Sequence, residues 1–190
     1  MIGMKGKIII LSAPSGTGKS TIISHLIKDA DLRLGFSVSA TSRKPRGQET
    51  DGKDYFFLSE EEFQRKVDNG EFVEWEEVYA GTRYGTLESE VRRVTESGHN
   101  LIMDVDVKGA LNIKKRYGDD AISIFIMPPD IDTLGRRLRS RATDSEETIS
   151  RRLEKAEYEM GFAGKFDAVV INDRLEDAVS DVRDRIKRFI

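Results

Sequence analysis

Nine consecutive residues, Ser12-Ala13-Pro14-Ser15-Gly16-Thr17-Gly18-Lys19-Ser20, have the types and spacing to hold the phosphates of a nucleotide. Gly16 and Gly18 allow main-chain N–H groups to converge on phosphate oxygens, and the helix expected to start at Ser20 adds its unpaired N–H groups and its dipole. Lys19 would reach the β- and γ-phosphates, and the Ser20 hydroxyl would ligate Mg²⁺. The usual pattern is G-x-x-x-x-G-K-S/T, and its first glycine is Ala13 here. A second candidate for the metal is Asp104, at the end of the apolar run Leu101-Ile102-Met103. There it would act on the hydration shell of Mg²⁺, although an Asp at that point also suits the start of a helix.

Three further groups could handle negative charge or offer it. Arg43 and Arg46 flank Pro45 in a polar loop and suit an anion clamp, because the guanidinium fork binds phosphate through two hydrogen bonds; a merely solvated loop is the alternative. Arg136, Arg137, Arg139, Arg141, Arg151 and Arg152 crowd a helical hairpin. Such density commonly marks a solvated face, but beside a phosphate loop it reads as a lid that neutralises a transferring phosphoryl group. Glu74, Glu76 and Glu77 surround Trp75 in an unusually acidic strand.

The elements that must position these residues read as follows. Residues 7–12 form a buried strand, 13–20 the phosphate loop and 20–29 a helix. Residues 34–40 are expected as a second strand and 54–58 as a short one. Ser59 and Glu62 form a capping box for a helix with Phe63 and Val67 inside and Gly70 at its end. Residues 71–79 are strand-like, 81–85 a turn, and Thr86 caps a helix over 87–97. Buried strands are expected at 101–106, 121–127 and 168–171, and helices at 107–117, 130–141, 148–160 and 175–189. The result is an α/β protein. Its P-loop NTPase-type core is a five-stranded parallel sheet flanked by helices, over 1–36, 96–128 and 164–190. A mixed α/β insertion covers 37–95 and a helical lid 129–163.

Composition narrows the function. A length of 190 residues suits one α/β domain with inserted subdomains. Net charge is -3 with 34% charged residues, so bulk charge gives no sign of nucleic-acid binding. With no cysteine, disulfides, thiolate metal sites and cysteine nucleophiles are excluded. His25 and His99 cannot build a metal cluster by themselves. The apolar run at the N-terminus is too short for a signal peptide or a membrane span, so a soluble cytoplasmic protein is expected.

From about residue 6 onward the chain resembles the guanylate kinases. The likeness rests on the phosphate loop, Val38-Ser39-Ala40-Thr41-Ser42-Arg43-Lys44-Pro45-Arg46, Asp51-Gly52-Lys53-Asp54-Tyr55, Gly85-Thr86, Asp104-Val105-Asp106-Val107-Lys108-Gly109, Arg141-Ala142-Thr143-Asp144 and Val170-Ile171-Asn172-Asp173. It implies ATP and GMP as substrates, Mg²⁺ as cofactor, and 37–95 as the GMP-binding part. It further implies that Arg43, Arg46 and Tyr55 hold the GMP phosphate, that Ser39, Glu74, Thr86 and Asp106 read guanine, and that Tyr84 belongs to the GMP-binding set. Residues Ala13 to Thr21, with Asn172 and Asp173, would take ATP. Lys19, Arg46, Arg137, Arg141 and Arg152 would serve transfer. Monomer and homodimer both stay open, as does dGMP as acceptor.

Some positions depart from the family pattern. Gln48 stands where Pro-Arg-x-Gly-Glu has glycine, Thr82 and Arg83 replace Asn-Tyr in Gly-Asn-Tyr-Tyr-Gly, and Ala142 replaces the lid glycine. The stretch from Glu74 to Gly81 is one residue longer than usual, which leaves the base-reading carboxylate to be chosen among Glu74, Glu76 and Glu77. Two rival readings keep the fold: a catalytically inactive phosphopeptide-binding module, and a kinase for another phosphorylated acceptor. The intact Lys19 and Ser20 argue against the first, and the guanine-reading set against the second.

Overall fold

Ile8–Ser12 (β1) is buried along its whole length, as a parallel strand covered on both faces requires. The computed structural model describes residues 5–79, 81–140 and 145–190. After β1 come α1 (Lys19–Leu26), β2 (Leu34–Gly35), β3 (Ala40–Thr41), β4 (Phe56–Phe57), α2 (Glu60–Asp68), β5 (Phe72–Tyr79), β6 (Thr82–Leu87) and α3 (Glu88–Glu96). The chain continues through β7 (Asn100–Asp104), α4 (Val107–Tyr117), β8 (Ala121–Met127), α5 (Ile131–Ser140), α6 (Glu146–Met160), β9 (Ala168–Ile171) and α7 (Leu175–Phe189). The fold is α/β, with a five-stranded parallel sheet of order β2-β7-β1-β8-β9 flanked by helices and a separate four-stranded sheet of order β4-β3-β6-β5.

Two compact units divide the chain: Ile8–Leu34 with Ile102–Ile190, and Gly35–Leu101 with the described residues before Ile8. In the first unit, Ile9, Leu11, Ile22, Leu26, Ile102, Ile124, Ile126, Val170, Val182 and Ile186 form the main core. Each such side chain contributes about 1.5–3 kcal/mol by leaving water. Leu134, Leu138, Ile149 and Ala156 give the α5–α6 hairpin a small core of its own. In the second unit Ala40, Phe63, Phe72 and Leu87 bind the four-stranded sheet to α2, with Phe63 stacked on Phe72 at 4.4 Å.

The expected capping box forms as written: Ser59 Oγ accepts the Glu62 N–H and Glu62 Oε2 accepts the Ser59 N–H. Other elements differ from the sequence reading. The first helix stops at Leu26, and Asp29 starts a 3-10 turn, Ala30–Leu32, by accepting the Asp31 N–H. The strand expected over 34–40 is split between the two sheets, Leu34–Gly35 in one and Ala40–Thr41 in the other. Between them, the Val38 N–H donates to the buried Glu90 carboxylate rather than to a neighbouring strand. The strand expected over 54–58 is confined to Phe56–Phe57. The turn expected over 81–85 is strand from Thr82 onward, because these residues pair antiparallel with β5. Thr86 therefore lies in β6 and is not a helix cap; Leu87 occupies the cap of α3 and makes no side-chain bond there.

The five-stranded sheet carries an acid clamp between β8 and β9. Asp167 accepts the N–H and the hydroxyl of the buried Ser123 at 2.7 and 2.8 Å, with Lys114 Nζ 3.1 Å away. Burial pushes the Asp167 carboxyl up, but the Ser123 donors and the Lys114 ammonium outweigh it and hold it below its ordinary value. Asp167→Ala is expected to cost about 1–3 kcal/mol in urea unfolding at neutral pH, since two buried donors lose their acceptor. A depressed carboxylate stabilises the fold above its unfolded pKa and loses that contribution as pH falls through its folded value. The deficit of the variant should accordingly shrink on acidification toward pH 3; a deficit unchanged by acid would show that the charge has no part in it.

Candidate active site

The phosphate loop is shaped by contacts around its glycines. Gly16 and Gly18 have φ of 90° and 99°, a left-handed conformation that disfavours any side chain. A Cβ on Gly16 would lie 2.6 Å from Leu138 Cδ2, and one on Gly18 would lie 2.6 Å from Asn172 Nδ2. Thr17 is buried between them, its N–H donating to the Pro14 carbonyl at 3.2 Å. Gly18 caps α1, whose first turn has neither a side-chain cap nor an acidic residue, so its N–H groups and positive end face the loop. Lys19 Nζ contacts the Asp104 carboxylate at the end of β7. Ser20 and Thr21, which follow, are exposed.

Asp106, the second acid after β7, caps α4 by accepting the Gly109 N–H at 2.7 Å. Asn172 is buried and Asp173 exposed. The Arg137 guanidinium donates to the carbonyls of both, at 2.8 and 3.0 Å. Arg152 is half-buried on α6, whereas Arg139 and Arg151 pair with Glu146 and Glu147 on the surface. Arg141 and the neighbouring Ala142 lie outside the described residues. One acid of this unit had no sequence signal: Glu159 on α6 is buried, and burial pushes its carboxyl up, with Lys155 and Lys19 opposing and Asp106 adding to the rise.

In the other unit the register of β5 on β6 does the positioning. Glu74 lies opposite Thr86, Glu76 opposite Tyr84 and Glu77 opposite Arg83. Side chains alternate along a strand, so Glu74, Thr86, Glu76 and Tyr84 share one face while Trp75 turns to the other, edge-on to Phe63. The Thr86 hydroxyl donates to Glu74 Oε1 at 2.7 Å. The register shifts between Glu77 and Tyr79. A bulge there takes up one extra residue beyond the acidic run, and a second shift, between Phe72 and Glu74, precedes the evenly paired stretch Glu74 to Glu77. The unusual Arg83 stacks on Phe63 and donates to Gln64 Oε1 at 2.6 Å.

Arg43 reaches Tyr84 on this sheet. Its Nε donates to the Tyr84 hydroxyl at 3.0 Å, which leaves the phenolic proton to be donated elsewhere. The guanidinium also lies over the Tyr55 and Phe57 rings, 5.0 and 5.6 Å from their centroids. Both of its terminal nitrogens donate to Glu49, at 2.6 and 2.7 Å, and the Arg46 N–H donates to the same carboxylate at 2.7 Å. These bonds hold the Glu49 carboxyl down at about 2. Arg46 itself is exposed, and the half-buried Ser39 accepts the Phe56 N–H at 2.9 Å. Gln48 is exposed in the loop.

Nothing in the sequence marks Glu49 for this contact beyond its place at the end of the Pro-Arg-x-Gly-Glu pattern that contains Arg46. Glu49→Ala is expected to raise KM for the phosphorylated acceptor about tenfold with little change in kcat, as the guanidinium loses its fixed orientation. The carboxylate stays ionised from pH 5 to 9, so the ratio of variant to wild-type KM should be flat across that range. A ratio that varies with pH there would count against an ionic clamp.

Comparison with known proteins gives this geometry a family. The guanylate kinase family model matches residues 5–189. The chain belongs to the guanylate kinase family. It is 55% identical over 184 residues to the guanylate kinase of Porphyromonas gingivalis, covering 97% of this chain and 98% of that one. To the guanylate kinase of Bacteroides thetaiotaomicron it is 53% identical over 187 residues, with 98% and 91% covered. Among solved structures, guanylate kinase from Anaplasma phagocytophilum aligns with a TM-score of 0.70 at 30% identity, covering 98% of this chain and 87% of that one.

Proposed function

We propose that this protein transfers the γ-phosphoryl group of ATP to GMP, giving ADP and GDP in the cytoplasm. The observation that carries the reading is the Thr86–Glu74 hydrogen bond on the same sheet face as the Tyr84–Arg43 pair. Guanine offers N1–H and N2–H side by side, and one carboxylate accepts both. Adenine has neither donor there and would forgo both of these hydrogen bonds to the carboxylate, a loss large enough to reject it by on the order of 10⁴. Ser39 joins the base-reading set of this unit, and Arg43, Arg46, Tyr55 and Tyr84 hold the GMP phosphate.

On the donor side, residues 13–21 wrap the triphosphate, Lys19 reaches its β- and γ-oxygens, and Asn172 and Asp173 lie toward the adenine. The Ser20 hydroxyl and the Asp104 carboxylate suit a hard cation that binds mainly through substrate phosphates and water. They fit Mg²⁺ better than a metal caged by protein, since no group of three or more acids or histidines able to hold a metal occurs among the described residues. Bound there, Mg²⁺ supplies neutralisation of charge across the β- and γ-phosphates. Arg137, Arg141 and Arg152 belong to the 129–163 lid, whose closure over the substrates excludes water from the transfer. No covalent enzyme intermediate is involved, in keeping with a chain that has no cysteine. Among the described residues no helix is long and apolar enough to cross a membrane.

The test is ADP release from ATP and Mg²⁺ with GMP, AMP, CMP, UMP or no acceptor. Turnover with GMP alone is expected. Equal turnover with all four nucleotides would remove the base-reading role, and ADP release indifferent to acceptor would make the protein an ATPase.

A further inference from the structure

The phosphate loop is held from outside by a residue 155 positions away. Asn172 Nδ2 donates to the Thr17 carbonyl at 2.7 Å in a buried hydrogen bond. Asn172 is 6% exposed, and its own N–H donates to the Met127 carbonyl at 2.8 Å, which fixes it to the end of β8. Its amide also occupies the space that a methyl group on Gly18 would need. Arg137 then fastens the main chain that follows this contact, through the carbonyls of Asn172 and Asp173. The same helix, α5, lays Leu138 and Leu134 against Gly16. Three successive loop residues, Gly16, Thr17 and Gly18, are therefore backed by α5 or by Asn172.

The physical need for this is local. A loop that turns its N–H groups toward an anion must turn carbonyls the other way. A carbonyl directed into a buried place requires a donor. Thr17 supplies such a carbonyl and Asn172 such a donor. A side chain spent in this way acts on the phosphates whatever base they carry.

We propose that Asn172 and Arg137 are positioning residues for the phosphate loop: Asn172 holds the Thr17 carbonyl, Arg137 holds Asn172, and the pair sets triphosphate affinity without regard to the nucleobase. The inference rests on the reading of residues 13–21 as the triphosphate site. It differs from a role for Asn172 in reading adenine, and it gives Arg137 work other than contact with the transferring group.

The test compares wild type with Asn172→Ala, Asn172→Ser and Arg137→Met. Affinities for ATP, inosine triphosphate and inorganic tripolyphosphate are measured by calorimetry, and KM for GMP by ADP release. Both Asn172 variants should weaken all three ligands by one common factor, about tenfold to a hundredfold for a buried carbonyl left unpaired. The KM for GMP should stay within about twofold, and amide exchange at Thr17 to Lys19 should quicken. Arg137→Met should show the same pattern with a smaller factor, and Arg137→Lys should recover part of it. Loss confined to ATP, with tripolyphosphate unaffected, would overturn the proposal in favour of adenine reading; unchanged affinities would overturn it outright. If Asn172→Ala melts too low to assay, Asn172→Ser and Arg137→Met decide the matter. Wild-type protein that binds none of the three ligands would instead bring down the triphosphate site itself, and a common-factor loss in a protein that fails to phosphorylate GMP would leave the positioning role standing while removing the kinase.

Discussion

Lys19→Met is expected to lower kcat for GMP phosphorylation by on the order of 10³-fold while leaving the fold in place. Lys19 opens α1 directly behind the two left-handed glycines, and on the proposed reading this position brings its ammonium to the phosphates. Nothing else described in the loop has a positive charge: residues 12–18 are uncharged. The helix end contributes only a partial charge, on the order of half a unit. Stability should change little, because the Lys19–Asp104 pair lies at the surface, with 17% and 41% of the two side chains exposed. Pairs of that kind contribute about 0–1 kcal/mol. ADP release and a thermal melt on the same preparation check this. A variant with near-normal kcat would show that the ammonium is not part of the transfer; a collapsed melting temperature with proportionate loss of activity would make Lys19 structural.

Glu74→Gln should lower kcat/KM for GMP by on the order of 10³-fold, the worth of two hydrogen bonds to a charged acceptor. The amide oxygen of Gln can still accept one donor, but its NH₂ group meets the second guanine donor head-on. Discrimination between GMP and AMP should narrow by the same step, since the charged acceptor that favours the two guanine donors is gone. The antiparallel register ties the prediction to position: Glu74 is opposite Thr86 and bonded to it, whereas Glu76 and Glu77 face Tyr84 and Arg83. Glu76→Gln and Glu77→Gln should therefore each change kcat/KM less than tenfold. A larger loss in either than in Glu74→Gln would move base reading to that carboxylate. Thr86→Val should fall between, because it removes the donor that orients Glu74 and spares the carboxylate itself.

What could be read from the residues alone was local in the chain. The phosphate loop is one such case: nine consecutive residues contain the glycines, the lysine and the hydroxyl, and the strand before and helix after them are marked by simple apolar spacing. The Ser59–Glu62 capping box is another, complete within four residues. So are the strands Ala121–Met127 and Ala168–Ile171, whose largely apolar runs leave little choice of structure.

What only the tertiary structure decided were features whose partners lie far away in sequence. Thr86 has the type and place of a helix cap, and only strand pairing sets it opposite Glu74, to which its hydroxyl donates. Residues 81–85 have turn composition, and pairing with β5 overrides that preference. The alternation over 34–40 suits a strand, yet the buried Glu90 takes the N–H of Val38 and lets the segment pass from one sheet to the other. Glu49 was invisible as a holder of Arg43 because nothing in a loop's sequence says which cation its carboxylate will meet. Asn172 could be read as a nucleotide neighbour from its motif, but its bond to Thr17 spans 155 residues. Sequence spacing encodes the dihedral preferences and periodicities of neighbours, whereas a hydrogen bond of that span exists only once a packed sheet has brought its two ends together.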